Sequence, residues 1–278
     1  MSLKTILVHV EASPMPDPRL ALAIDLANQF DAKLIGIGAE VYRTSYYGDY
    51  DGYGAGYLIA AEMETVDADL EAAAAKFRSA AGAVRAGSDW RAGVRFPVAE
   101  VAAAARSADL VVTSRSARQG QSEYNIALPG ALILQTGRPV LMAPAETAEL
   151  KASSVLVAWR DTREARRAVS DAMPFLRRAS KVYLVEICDS KAALPAATGR
   201  LEDVAGYLLR HGITAIASAH IAEREAEAAA QLLDIAELEK VDLIVAGAYG
   251  HSRFQEWVFG GFTRALLGQT ARAVLFSH

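Results

Sequence analysis

Four glycines and a threonine bracket a loop whose chemistry would suit an oligophosphate. The stretch reads Gly247-Ala-Tyr-Gly250-His-Ser-Arg-Phe-Gln-Glu-Trp-Val-Phe-Gly260-Gly261-Phe-Thr263. Gly247 and Gly250 allow tight turns and positive φ. Gly260 and Gly261 stand just before a helical pattern, where free backbone N–H groups and the helix dipole favour a phosphate. Thr263 adds a hydroxyl donor. The loop is not a Walker A loop, because no Gly-Lys-Ser/Thr follows, and it is not the dinucleotide G-x-G-x-x-G. Two purely structural readings stand beside phosphate binding. The glycines at a strand exit can be turn formers, and Gly260-Gly261 can simply let a helix approach closely.

The elements that must position this loop alternate. Residues 154–159 form a short continuous apolar run, followed by Thr162 as an N-cap. Ala165, Ala168, Val169, Ala172 and Leu176 then share one helical face, with Pro174 as an interruption that can kink it. Lys181 to Ile187 is a second strand. Leu201, Val204, Ala205 and Leu208 mark a helix that Gly212 can end. Ile213–Ile221 is a strand, Ala226–Leu238 a helix, Val241–Ala246 a strand, Thr263–Thr270 a short helix and Arg272–Phe276 a last strand. Strand and helix in alternation predict a parallel sheet with helices on both faces. Ligands of such sheets bind beyond the carboxyl ends of the strands, where strand order reverses. That places the site at the loops after the first and fourth strands.

The chain also repeats itself. Lys4-Thr-Ile-Leu-Val-His-Val corresponds to Ser154-Val-Leu-Val-Ala-Trp, and Ala108-Asp-Leu-Val-Val-Thr to Val241-Asp-Leu-Ile-Val-Ala. Ala131-Leu-Ile-Leu-Gln-Thr-Gly-Arg-Pro-Val-Leu corresponds to Ala265-Leu-Leu-Gly-Gln-Thr-Ala-Arg-Ala-Val-Leu. The order is conserved between the halves, so a duplicated domain is expected, with residues 1–146 and 152–278 as the two copies and a polar linker around 145–152. The first copy has lost the loop: Ser114 and Ala117 replace the first two glycines, and the third position falls on Ala127. No oligophosphate is expected there.

The spacing G-x2-G-x9-G, after a strand that begins with Asp242, resembles the ATP-binding motif of the universal stress protein family. The resemblance covers nearly the whole chain as two copies. It implies two tandem doubly wound α/β domains of the adenine nucleotide α-hydrolase-like kind, each with a five-stranded parallel sheet. It also implies domains paired through their last strands as a dimer within one chain, and leaves open whether such chains pair again. The implied ligand is ATP or a related adenine nucleotide, with or without magnesium. Carried over residue by residue, Gly247, Gly250, Gly260, Gly261 and Thr263 would surround phosphates and ribose, with His251 inside the motif as a loop residue. Ile187 would meet the adenine through its backbone. The family usually follows the last Gly with Ser or Thr, where this chain has Gly261, with Thr263 two residues on. It usually has Asp directly after the first strand, where this chain has Arg160 followed by Asp161. Asp161 can substitute, Arg160 can reach phosphate or stack on the base, or Arg160-Asp161-Thr162 can merely begin a helix. The first copy, with its glycines replaced, is expected to bind no ATP, and where the family has that Asp it has Glu11, which leaves a different small ligand open.

Other features bound the function. The net charge of −4 argues against general nucleic-acid binding. Residues 1–150 hold 13 Lys and Arg against 18 Asp and Glu, and residues 151–278 hold 16 against 15, so the second half is friendlier to anions. No apolar run reaches the ~18–20 residues of a membrane span. Met1 to Val10 lacks the parts of a signal peptide, so a cytoplasmic location is expected. The single cysteine, Cys188, suits a packing role in a reducing compartment. The histidines show no metal spacing. Tyr42, Tyr46, Tyr47, Tyr50, Tyr53 and Tyr57 lie among four glycines in residues 42–57, read as a loop insertion that packs locally, covers a cleft or meets a partner. The leading reading is a nucleotide-binding stress or regulatory protein with an unidentified protein partner. A slow ATPase or nucleotide-dependent transferase would need a carboxylate for metal, for which Asp161 is the best candidate. A protein-interaction module with a vestigial site is the third reading.

Overall fold

The computed structural model describes residues 2–13, 15–42, 52–114, 128–144, 147–222, 224–249, 261–269 and 271–278. The first half runs β1 (Thr5–His9), α1 (Pro18–Phe30), β2 (Lys33–Glu40), α2 (Gly52–Ala81), β3 (Ser88–Val94), α3 (Pro97–Ala104), β4 (Leu110–Ser114), α4 (Pro129–Gln135) and β5 (Val140–Ala143). The second half repeats the order: β6 (Ser154–Trp159), α5 (Arg163–Leu176), β7 (Lys181–Cys188), α6 (Leu194–Arg210), β8 (Ala215–Ile221), α7 (Glu225–Leu238), β9 (Leu243–Gly247), α8 (Gly261–Gln269) and β10 (Ala273–Ser277).

All ten strands form one sheet in the order β3-β2-β1-β4-β5-β10-β9-β6-β7-β8. Each half is a five-stranded parallel sheet, and the two meet through an antiparallel pairing of β5 with β10. The central strands carry continuous apolar runs because helices cover both of their faces. On one face Ile6, Val8, Val155 and Val157 pack with Phe77 of α2, Phe175 of α5 and Leu201 of α6. On the other Leu7, Val111, Leu156 and Ile244 pack with Leu132 of α4, Leu232 of α7 and Leu266 of α8.

Local signals place the helix ends. The Thr162 hydroxyl accepts the Ala165 N–H at 3.3 Å to start α5, and the expected stripe of Ala165, Ala168, Val169, Ala172 and Leu176 is buried. Pro174 lies in the last turn of that helix, which runs on to Leu176. After α6, Gly212 takes φ 78° and the Ile213 N–H returns to the Leu208 carbonyl. One expectation fails: the Tyr/Gly segment is not a loop throughout. Residues from Gly52 onward belong to the 30-residue helix α2. Its Ala- and Glu-rich body propagates toward the N-terminus through glycines that each oppose helix by only about 1 kcal/mol. Residues 43–51 lie outside the described residues.

The repeat has a physical anchor in Asp109 and Asp242. The Asp109 carboxylate accepts the Lys4 and Thr5 N–H groups at 2.8 and 2.9 Å. Asp242 accepts those of Ser153 and Ser154 at 2.8 and 3.1 Å. Each aspartate thus ties the start of the first strand of its half to the start of the fourth. Asp242→Ala, which orphans two N–H groups, is expected to lower stability by about 1–3 kcal/mol, with Asp242→Asn losing less. Urea denaturation checks both.

The halves also touch through equivalent residues. Phe30 and Phe175 each lie 13 positions after their helix N-cap, Asp17 or Thr162. Their rings meet edge to face at 5.2 Å between centroids, as a two-fold pseudosymmetric junction requires. Arg178 covers the Phe30 ring at 4.6 Å and donates to the Gln29 carbonyl at 2.8 Å.

Candidate functional site

In the second half, β6 leads outward to β7 and β8, whereas β9 and β10 lie on its other side. Strand order therefore reverses between β6 and β9, and their carboxyl ends flank the crevice where ligands of this architecture bind. β6 delivers Trp159, Arg160 and Asp161 to it, and β9 delivers Gly247, Ala248 and Tyr249. Ile187 stands near the end of β7, next to β6 in the sheet. Gly261 opens α8, and Thr263 is buried in its first turn. Gly250, His251, Gly260 and Trp257 lie outside the described residues.

Gly247 is needed for space rather than for positive φ, contrary to the sequence expectation. A Cβ there would sit 2.5 Å from the Ala165 nitrogen and 2.7 Å from the Glu164 carbonyl carbon. The N-terminus of α5 thus rests directly on the end of β9. The left-handed residue of this turn is Tyr249, at φ 59°. Burial pushes its phenol up to about 12, and its ring lies 6.1 Å from that of His278. The Ala248 N–H bonds the Ser277 carbonyl at 2.9 Å, and His278 Nδ1 donates to the Ala248 carbonyl at 3.0 Å, so the end of β10 buttresses the start of the loop.

Charge around the crevice is mostly paired. Arg166 binds Asp161 at 2.6 Å. Arg200 grips Glu186, which lies opposite Trp159 in the sheet register. Glu164 is buried beside Gly247. Burial opposes its ionisation, but hydrogen bonds from Arg163, its own N–H and Thr162 hold its pKa below the usual carboxylate range. Arg160 is exposed and its guanidinium has no partner among the described residues. Trp159 buries an indole N–H that also lacks a partner among the described residues. The Glu186–Arg200 pair escaped the sequence reading because its members lie 14 residues apart on different elements. Cys188, the last residue of β7, is buried, and burial with the Glu186 charge pushes its thiol up. That agrees with a packing role.

The first half fills the same place differently. Counting from Thr5 and Ser154 puts Glu11 opposite Arg160, and counting from the N-caps puts Arg19 opposite Glu164. The charges are swapped. Arg19 is buried and binds Glu11 at 3.1 Å and Asp17 at 3.0 Å. His9 Nδ1 lies 3.4 Å from Glu11, and Lys76 donates to the Ser13 and Met15 carbonyls. Burial works against the Arg19 charge, but Glu11 and Asp17 outweigh it and raise its pKa. Val41, Tyr42, Val94, Arg95, Phe96 and Ala99 line an open groove of about 540 Å³ at the ends of β2 and β3. Residues 115–127, which hold the first-half counterpart of the glycine loop, lie outside the described residues.

The sequence pattern of the universal stress protein family matches residues 151–278. These residues are a universal stress protein domain. The fold extends over the whole chain. A universal stress protein from Archaeoglobus fulgidus superposes with a TM-score of 0.68 at 15% identity, covering 98% of this chain and 95% of its own. A Pseudomonas aeruginosa protein described as a universal stress protein gives 0.62 at 13% identity, over 99% of this chain and 93% of its own. Both shared halves therefore have the universal-stress-protein-like fold in tandem. A universal stress protein solved in complex with cAMP covers 52% of this chain and 100% of its own, at 18% identity and a TM-score of 0.37. No curated protein matches the sequence. No described helix is long and apolar enough to cross a membrane.

Proposed function

We propose that the chain is a cytoplasmic stress-response or regulatory protein. Its second domain, residues 152–278, binds ATP or a related adenine nucleotide at the β6–β9 crevice, and the first, residues 1–146, does not. The observation that carries this reading is the placement of the glycine motif. It begins at the end of β9, at the reversal of strand order, and reaches the N-terminus of α8, where free N–H groups favour phosphate. The Arg160 guanidinium at the end of β6, without a partner among the described residues, adds a donor for the same anion. In this reading Gly250, Gly260, Gly261 and Thr263 face phosphates and ribose, Ile187 meets the base through its backbone, and occupancy biases a surface read by a protein partner. Gly247 contributes by letting α5 and β9 meet.

Nucleotide released from the denatured protein, together with calorimetric ATP titration of stripped protein, tests this. About one nucleotide per chain is expected, with binding abolished by Gly250→Ala combined with Gly260→Ala. Absence of both nucleotide and binding heat at several temperatures would leave an interaction module in its place.

A further inference from the structure

Resting on the nucleotide reading, the charges at the end of β6 point to how the ligand is neutralised. Magnesium bound with a nucleotide is held by phosphate oxygens and one or two protein carboxylates. The sequence offers Asp161 for that task. The structure commits Asp161 to Arg166 at 2.6 Å, and Arg200, held by Glu186, also feels the Asp161 charge. Arg160, adjacent in sequence, has no side-chain partner among the described residues. Among the described residues, Arg160, Arg163, Arg166 and Arg200 against Asp161, Glu164 and Glu186 sum to a charge of +1. A divalent cation at Asp161 would displace Arg166 and be repelled by the nearby Arg160 and Arg200 guanidiniums. Among the described residues, no group of three or more His, Cys, Asp and Glu side chains is arranged to hold a metal ion.

We infer that the second domain takes its nucleotide polyphosphate free of magnesium, with the Arg160 guanidinium supplying the neutralising charge through forked hydrogen bonds to phosphate. A guanidinium suits that role because its planar fork matches two phosphate oxygens and it stays protonated at any working pH. The swap against the first half sharpens the point. There the equivalent of Arg160 is Glu11, a carboxylate already bound to a buried arginine.

The test is ATP titration calorimetry of the full chain, in excess EDTA and in excess magnesium chloride. Wild type is expected to bind ATP at least as tightly in EDTA as with magnesium. Arg160→Ala should lose about tenfold or more in EDTA, the scale of a charge-assisted hydrogen bond. Arg160→Asp, which sets a second carboxylate beside Asp161, should bind only with magnesium. Arg160 is exposed, so neither change disturbs packing, and circular dichroism confirms the fold. Wild-type binding that requires magnesium, or an Arg160→Ala affinity in EDTA equal to wild type, overturns this inference and leaves nucleotide binding standing. Absence of wild-type binding in both buffers overturns the nucleotide reading itself.

Discussion

Gly247→Ala is expected to destabilise the protein by about 2–3 kcal/mol, the upper range for forcing atoms into a packed interior. The added methyl would meet backbone, the Ala165 nitrogen at 2.5 Å and the Glu164 carbonyl carbon at 2.7 Å. Neither can rotate away as a side-chain tip could. Relief requires α5 to lift off β9, and the same motion would pull Glu164 from its buried place. Urea denaturation should show a lower midpoint with an unchanged slope, the mark of a stability change alone. A midpoint within error of wild type would mean that α5 shifts at little cost.

This expectation changes how the glycine motif is to be dissected. A loss of ATP binding in Gly247→Ala would follow from a displaced helix as readily as from a blocked phosphate. Titration at a temperature where the variant remains folded separates the two. Retained affinity would assign Gly247 to packing alone, and lost affinity in a folded variant would tie the α5–β9 contact to the geometry of the site.

The sequence made the repeat, the strand order of events and the α5 stripe readable because each rests on local apolar periodicity. Asp109 and Asp242 were visible as repeat landmarks, but their purpose was not, since a carboxylate closing two N–H groups over a distance of 104 or 88 residues has no local pattern. The Phe30–Phe175 contact depends on the antiparallel joining of β5 and β10, and that joining came from family resemblance rather than from periodicity. The sequence singled out Gly247 as a turn former in a phosphate loop, but composition cannot distinguish a need for φ from a need for room. The first-half network was hidden for another reason. Glu11, Asp17, Arg19 and Lys76 are residue types that pattern assigns to the surface, yet the first three have side chains less than a tenth exposed. Only the assembled crevice shows that they neutralise one another.

That network yields the largest expected effect. Glu11→Ala leaves the Arg19 guanidinium buried with Asp17 alone to balance it, and should destabilise the protein by about 3–5 kcal/mol, the scale for breaking a buried ion pair from one side. Replacing both partners, Glu11→Leu with Arg19→Met, removes the orphaned charge as well as the pair. The double variant should therefore recover most of the loss, with Asp17 left to Lys76 at 3.9 Å. A double-mutant cycle by urea denaturation gives the coupling directly. Single variants that each cost less than about 1 kcal/mol would show the network to be hydrated and weak, in the range of surface pairs. The same variants bear on function. If the first crevice is held together by its own charges and only the second is completed by a nucleotide, Glu11→Ala should leave ATP affinity unchanged wherever the protein stays folded. A fall in affinity would show instead that the junction through β5 and β10 couples the two crevices.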